Sequence, residues 1–153
     1  MEKYIGTKIV EAEQAFRVTS PGGKVSIEPP EGSCEAGSTI ESGYRVRYAD
    51  GYESWSPKAV FEEAYRRSDG MTFGLAIEAA KMGNKIARKG WNGKAQHVEI
   101  ASCISYTAPD GSLVNAEHDA IGNQALAFCG TSGVQMGWLA SQADMLAEDW
   151  MIV

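Results

Sequence analysis

The chain has 153 residues, a hydrophobic share of 44% and a charged share of 22%, with a net charge of -6. That length suits one ordinary domain or two small ones, and the composition excludes a disordered tail. The acidic balance argues against a DNA or RNA coat, which neutralises many phosphates with cations. No apolar run approaches the roughly 20 residues of a membrane-spanning helix, and Met1–Gly6 lacks the basic-then-apolar pattern of a signal peptide. Cys34, Cys103 and Cys129 are an odd set without a Cys-x-x-Cys, so free thiols are expected. His97 and His118 fit no metal-ligand spacing, and no metal site is expected.

Residues 1–70 read as a small α+β unit. Residues 19–43, rich in Ser, Gly, Pro and Glu, read as irregular. Tyr44–Tyr48 and Tyr52–Trp55 alternate around Asp50-Gly51, which predicts a hairpin. Ser56 and Pro57 read as a cap and first position of a helix carrying Val60, Phe61, Ala64 and Tyr65 on one face, with Arg66 and Arg67 in its last turn. Asp69-Gly70 reads as a joint, and the stretch from Met71 onward reads as a self-contained unit.

In residues 71–153, Thr72 is placed to cap a helix through Met82, with Phe73, Ala76, Ile77 and Ala80 on one face and Gly83 as its stop. Short strands are expected at 85–88, at 96–106 with Val98, Ile100, Ile104 and Tyr106 on one side, at 125–128, at 134–138 and at 150–153. Pro109-Asp110-Gly111 is a turn. Ser141 and Asp144 have capping-box spacing before a single helical turn.

Charge is uneven. Residues 71–153 hold five basic side chains, Lys81, Lys85, Arg88, Lys89 and Lys94, all within fourteen residues and with no acid between Glu78 and Glu99. A local positive patch on an acidic chain suits a small anion better than a polymer. Trp91, flanked by Gly90 and Asn92-Gly93, reads either as an exposed stacking surface or as a plug on a small core. The loop Gly130-Thr131-Ser132-Gly133 offers backbone N–H groups and hydroxyls to phosphate oxygens, though it lacks the lysine of a Walker loop, and a plain hairpin turn is its bland reading. His118-Asp119 lacks a nucleophile elbow, and Glu148-Asp149 reads as a solubilising or capping pair. No catalytic cluster is expected. Base stacking contributes about 1–3 kcal/mol per base and a charge-assisted hydrogen bond about 1.5–3, so two bases and two phosphates could reach nanomolar affinity, near about -12 kcal/mol.

Three stretches carry a resemblance: Met71-Thr72-Phe73-Gly74, Arg88-Lys89-Gly90-Trp91-Asn92-Gly93-Lys94, and Gly137 to Trp150. Over residues 71–153 the chain resembles the Thoeris anti-defence 2 family of small phage proteins. The resemblance implies a homotetrameric sponge acting in the host bacterial cytoplasm during infection. Such a sponge holds cyclic ADP-ribose signals (glycocyclic ADP-ribose), or in some members the cyclic dinucleotides of CBASS, without cleaving them. It implies a site at Arg88, Lys89, Trp91, Asn92, Ser141, Gln142 and Asp144, to which the residue chemistry adds Thr131 and Ser132. Trp91 would stack on a base, Arg88 and Lys89 would meet phosphates, and Asn92 and Asp144 would read base or ribose edges. It implies no enzyme activity, and composition and spacing add the expectation of no cofactor, no metal, and neither nucleic-acid polymer nor membrane as a partner. Residues 1–70 are then an added N-terminal module, and Ala95-Gln96-His97 and Glu117–Asn123 depart from the usual pattern.

The expected fold is α+β, with small antiparallel sheets and one main helix per segment, assembled as a homo-oligomer. An 83-residue unit is too small to enclose a nucleotide pocket of roughly 300–1,000 Å³ comfortably, and a site between subunits solves that. Two rival readings stand beside it. An enzyme degrading the same signals would use His118, Asp119 and Asp144. A protein-binding phage adaptor would use Tyr44, Tyr48, Tyr52 and Trp55 of the first segment.

Overall fold

The computed structural model describes residues 1–3, 5–91 and 95–153. The chain divides into two compact units, Met1–Arg66 and Arg67–Val153. Both consist mainly of antiparallel sheet with short helices, an α+β arrangement. Among the described residues no helix is long and apolar enough to cross a membrane.

The first unit is a four-stranded sheet in the order β2-β1-β3-β4, from β1 (Glu11–Thr19), β2 (Val25–Glu28), β3 (Thr39–Arg47) and β4 (Glu53–Pro57). Arg47 faces Glu53 across the expected Asp50-Gly51 turn, and Gly51 takes a positive φ of 84°. Residues 19–43 are more regular than expected: β2 and the first half of β3 lie there, because β1 offers both edges to partners. Helix α1 (Lys58–Ala64) starts one residue later than expected. Pro57 is its N-cap, without a side-chain cap bond, and Ser56 belongs to β4, paired with Tyr44. Arg66 does serve the helix end, donating to the Glu62 carbonyl. Helix and sheet meet through stacked rings, Tyr44 on Phe61 at 4.3 Å and Phe61 on Tyr65 at 4.8 Å.

The four aromatic residues that suggested a protein-binding face are partly used inside this unit. Tyr44 stacks and donates to Glu62 at 2.9 Å, and the Arg17 guanidinium lies 4.8 Å over the Trp55 ring. Trp55 in turn covers Gly43, where an added Cβ would lie 2.2 Å from the Ser56 carbonyl and 2.6 Å from the indole. Gly43→Ala is therefore expected to cost about 1–3 kcal/mol through overpacking, and to lower the melting temperature of this unit by several degrees. An unchanged thermal transition would contradict this packing.

The second unit begins with α2 (Phe73–Lys81). Thr72 caps it, its hydroxyl accepting from the Leu75 N–H at 3.4 Å. Gly83, at φ 91°, ends it as expected. The helix lays Ala76, Ala79 and Ala80 against a five-stranded sheet of order β10-β9-β6-β5-β11. Its strands are β5 (Ile86–Arg88), β6 (His97–Ala101), β9 (Ala125–Gly130), β10 (Gly133–Met136) and β11 (Trp150–Ile152). β7 (Tyr106–Thr107) and β8 (Leu113–Val114) form a separate hairpin. Side chains alternate across a strand, so Ile86, Val98, Phe128 and Trp150 share the face toward α2.

The strand expected over 96–106 is two pieces. Cys103 stands at φ 56°, a left-handed conformation that a continuous strand does not accommodate, and Tyr106 restarts as β7. The strand expected to reach Trp138 stops at Met136. α3 (Gln142–Met145) is the expected single turn, with its capping box formed: Ser141 Oγ accepts from the Asp144 N–H at 3.1 Å, and Asp144 Oδ2 accepts from the Ser141 N–H at 3.1 Å.

Candidate functional site

The sequence-named positions converge at one end of the second sheet, as the strand register requires. Trp150 lies opposite Arg88, Ile86 opposite Val98, His97 opposite Cys129, and Gly130 opposite Gly133. The C-terminal end of β5, the start of β6, the β9–β10 turn and the start of β11 therefore line up. Lys89–Trp91, Thr131-Ser132 and the Asp144–Asp149 segment all leave the sheet there.

Arg88 is the hub. Its Nε donates to Asp149 Oδ1 at 2.8 Å and its Nη1 to Asp144 Oδ1 at 3.0 Å, with a longer contact to the Ala143 carbonyl at 3.5 Å. The guanidinium is 23% exposed and Asp144 15%. The cation expected to meet phosphates is thus occupied by two carboxylates. Asp144, expected to read a base or ribose edge, has both oxygens engaged, Oδ1 with Arg88 and Oδ2 with the Ser141 hydroxyl at 2.6 Å. Ser141 is likewise committed to the cap. Arg88 clamps the segment 143–149 onto the strand beside it.

The remaining lysines divide. Lys81 pairs with Glu78 at 2.7 Å and Lys85 approaches Glu99 at 3.8 Å. Lys89 is exposed and makes no ion pair among the described residues, although its charge helps hold the Asp69 carboxyl down. Asn92 and Lys94 lie outside the described residues. Three of the five cations of the patch are thus paired with acids, Lys81 with one on its own helix, Lys85 and Arg88 with acids farther along the chain, which leaves Lys89 as its free cation among the described residues.

Trp91 is half-buried, an intermediate between its two readings. Its ring meets Phe128 at 5.3 Å, Trp150 at 5.5 Å and Trp138 at 6.0 Å, all edge-on. Trp138 lies nearly parallel to Phe128 at 6.4 Å. Trp150 is fully buried, and its indole N–H donates to the Asp144 carbonyl at 2.9 Å, which ties the aromatic cluster to the Arg88 clamp. Gln142 is exposed on the first turn of α3. Thr131 and Ser132 are exposed at the β9–β10 turn. β9 is two strands from β5, so this turn lies about 10 Å across the sheet from the Arg88 strand and outside the clamp. His118 sits in a loop at φ 57°, its Nδ1 buried without a hydrogen-bond partner. Among the described residues no hydrogen bond joins its ring to Asp119, a serine or a cysteine.

The carboxyls of the clamp are held below their ordinary value of 3.8. For Asp149 the Arg88 hydrogen bond dominates over the opposing effect of burial. For Asp144 burial pushes upward, but the hydrogen bonds from Ser141 and Arg88 together outweigh it. A depressed folded-state pKa stabilises the fold above the unfolded value, and that stability disappears as pH falls through the lower folded value. Denaturant unfolding of the wild type should therefore lose stability as pH drops below about 4, and Arg88→Met should be less stable at pH 7 and show a shallower acid loss. Identical pH profiles would show that the clamp does not hold this segment.

The Thoeris anti-defense 2-like family model matches residues 71–153, and the chain belongs to that family. Over 88 residues it is 35% identical to Thoeris anti-defense 2 of Bacillus phage SP01, a match covering 54% of this chain and 94% of that protein. The matched span corresponds to the second unit almost residue for residue, and residues 1–70 lie outside it.

Proposed function

We propose that the chain is a phage anti-defence protein that binds and sequesters cyclic nucleotide immune signals without cleaving them. Cyclic ADP-ribose isomers such as glycocyclic ADP-ribose are its first expected ligands, and cyclic dinucleotides of CBASS its second. The observation that carries this reading is the family match over the span whose loops converge at one end of the sheet. There a half-buried tryptophan, an exposed lysine and an exposed glutamine stand beside a rigid ion-paired clamp.

On this reading, roles within the site divide according to which groups are already paired. Lys89 supplies the charge for a phosphate and Trp91 a ring for a base. Gln142, with Asn92, supplies amide groups for base or ribose edges. Arg88, Asp144 and Ser141 are positioning residues that hold α3 and the segment before β11. Thr131 and Ser132 form a second polar patch across the sheet, suited to a more distant part of a two-base ligand. A hydrolase would need an activated nucleophile or water, whereas Asp144 and Asp149 are already paired with Arg88, which favours holding over turnover. A homotetramer, acting in the cytoplasm of the infected bacterium, would complete a pocket that one 83-residue unit encloses poorly.

Calorimetric titration of the full chain with glycocyclic ADP-ribose and with cyclic dinucleotides tests the reading. At least one of them should bind with a dissociation constant near the nanomolar range. Absence of binding heat with every member of the panel, confirmed by equilibrium dialysis, would overturn it.

A further inference from the structure

The sheet face turned away from α2 brings together three groups that the nucleotide reading does not use. His97 and Cys129 are direct cross-strand partners on β6 and β9, and Glu99 is the next residue on the same face of β6. One ligand atom from each, an imidazole nitrogen, a carboxylate oxygen and the thiol sulfur, all lie within 4.8 Å of one another. Glu99 Oε2 is 3.6 Å from His97 Nε2, and Glu99 Oε1 is 3.7 Å from Cys129 Sγ. Tetrahedral zinc, with bonds of about 2.0–2.3 Å, sets neighbouring ligand atoms about 3.4–3.6 Å apart. The two observed separations run to the two different oxygens of Glu99, so the three side chains surround one point without yet presenting a tetrahedral set, and their ligand atoms, within 4.8 Å of one another, draw together on binding.

The histidine is also prepared as a ligand. Its Nδ1 lies 2.8 Å from the Ala95 carbonyl, which can only accept, so Nδ1 carries a proton and Nε2 of the neutral imidazole is the nitrogen left to bind a metal. Ala95 stands at φ 56°, a conformation alanine seldom adopts. Nε2 is buried and has no hydrogen-bond partner among the described residues. A buried imidazole nitrogen without a partner, facing a carboxylate and a thiol, is costly unless something fills the gap.

We propose that His97, Glu99 and Cys129 form a binding site for one divalent transition metal, of the zinc class. The mixed set of thiolate, imidazole and carboxylate selects a borderline metal over calcium or magnesium, which take oxygen ligands. Binding exchanges the Cys129 thiol proton, released to solvent, for the metal. Thiolate and carboxylate then neutralise the two positive charges. Glu99 is 41% exposed, so the metal has a route in, past the Lys85 ammonium 3.8 Å from Glu99 Oε2.

Cobalt is the direct probe. Titrating the full chain with Co²⁺ should yield one equivalent bound, with a thiolate-to-metal charge-transfer band in the near ultraviolet that Zn²⁺ abolishes on displacement. The band should persist in a Cys34→Ser/Cys103→Ser variant, which removes the two exposed thiols, and vanish in Cys129→Ser. His97→Gln and Glu99→Gln should each weaken cobalt binding about tenfold or more. Should Cys129→Ser fail to fold, alkylation of the wild type decides. Zn²⁺ should protect Cys129 and leave Cys34 and Cys103 reactive, as read by peptide mass. No charge-transfer band, a band that survives in folded Cys129→Ser, or no metal protection of Cys129 would overturn the proposal. None of these readouts involves a nucleotide, so the result stands apart from the sponge reading.

Discussion

Trp150→Ala should remove a large part of the stability of residues 67–153. The side chain is fully buried at the centre of the second unit, in contact with Phe73 at 5.4 Å, Trp91 and Trp138. Truncating a buried tryptophan costs about 3–5 kcal/mol, and a unit of this size has about 4–13 kcal/mol in all. The loss goes beyond volume. Trp150 pairs with Arg88 in the sheet, bridges to the Met71 backbone, and its N–H holds the Asp144 carbonyl, so one substitution loosens the core and the clamp together. Tryptophan fluorescence in a denaturant series should show the second transition lost or shifted far toward zero denaturant. A sharp, near-wild-type transition would mean that this residue is not the keystone of the second unit.

Trp91→Ala should weaken nucleotide binding by roughly 5- to 150-fold, the equivalent of about 1–3 kcal/mol of base stacking. Because the ring also packs edge-on against three aromatic neighbours, the variant should lose stability as well, so its fold needs checking by near-ultraviolet circular dichroism. Trp91→Phe separates the two effects: it keeps a π face and most of the packing, and should retain more of the affinity than the alanine variant. Unchanged affinity in a folded Trp91→Ala protein would take Trp91 out of the site.

These two tryptophans illustrate how far the amino-acid order alone reaches. Local signals are sound wherever a few adjacent residues decide the geometry. Thr72 capping α2, Gly83 ending it, Asp50-Gly51 turning a hairpin and Ser141 with Asp144 closing a box are all contacts within a few residues. β1 is not legible, since its first four residues are exposed and its alternation is broken at Gln14 to Phe16; it exists because β2 and β3 pair with both of its edges. The break at Cys103 is hidden for a related reason, as nothing in Val98 to Tyr106 announces a left-handed residue.

The spatial grouping of the candidate positions is legible in the sequence, whereas their contacts are not. Arg88, Lys89, Trp91, Gln142 and Asp144 do share one end of the sheet. The partners that change the meaning of Arg88 are 56 and 61 residues away, and pairing of β11 with β5 brings them in. Charge counted along the sequence therefore overstates the free positive patch. His97 and Cys129 escape notice as a pair for the same reason: metal-ligand spacing rules read short intervals, whereas this pair is created by strand register.

Recovery of intact ligand is the most direct test of sequestration. The protein is mixed with an excess of glycocyclic ADP-ribose, freed of unbound ligand by gel filtration, incubated, then denatured by heat, and the released nucleotide is resolved by chromatography. Sequestration predicts that the protein carries ligand through gel filtration and releases it chemically unchanged in stoichiometric amount. Release of a cleaved or rearranged nucleotide would contradict sequestration and identify turnover instead.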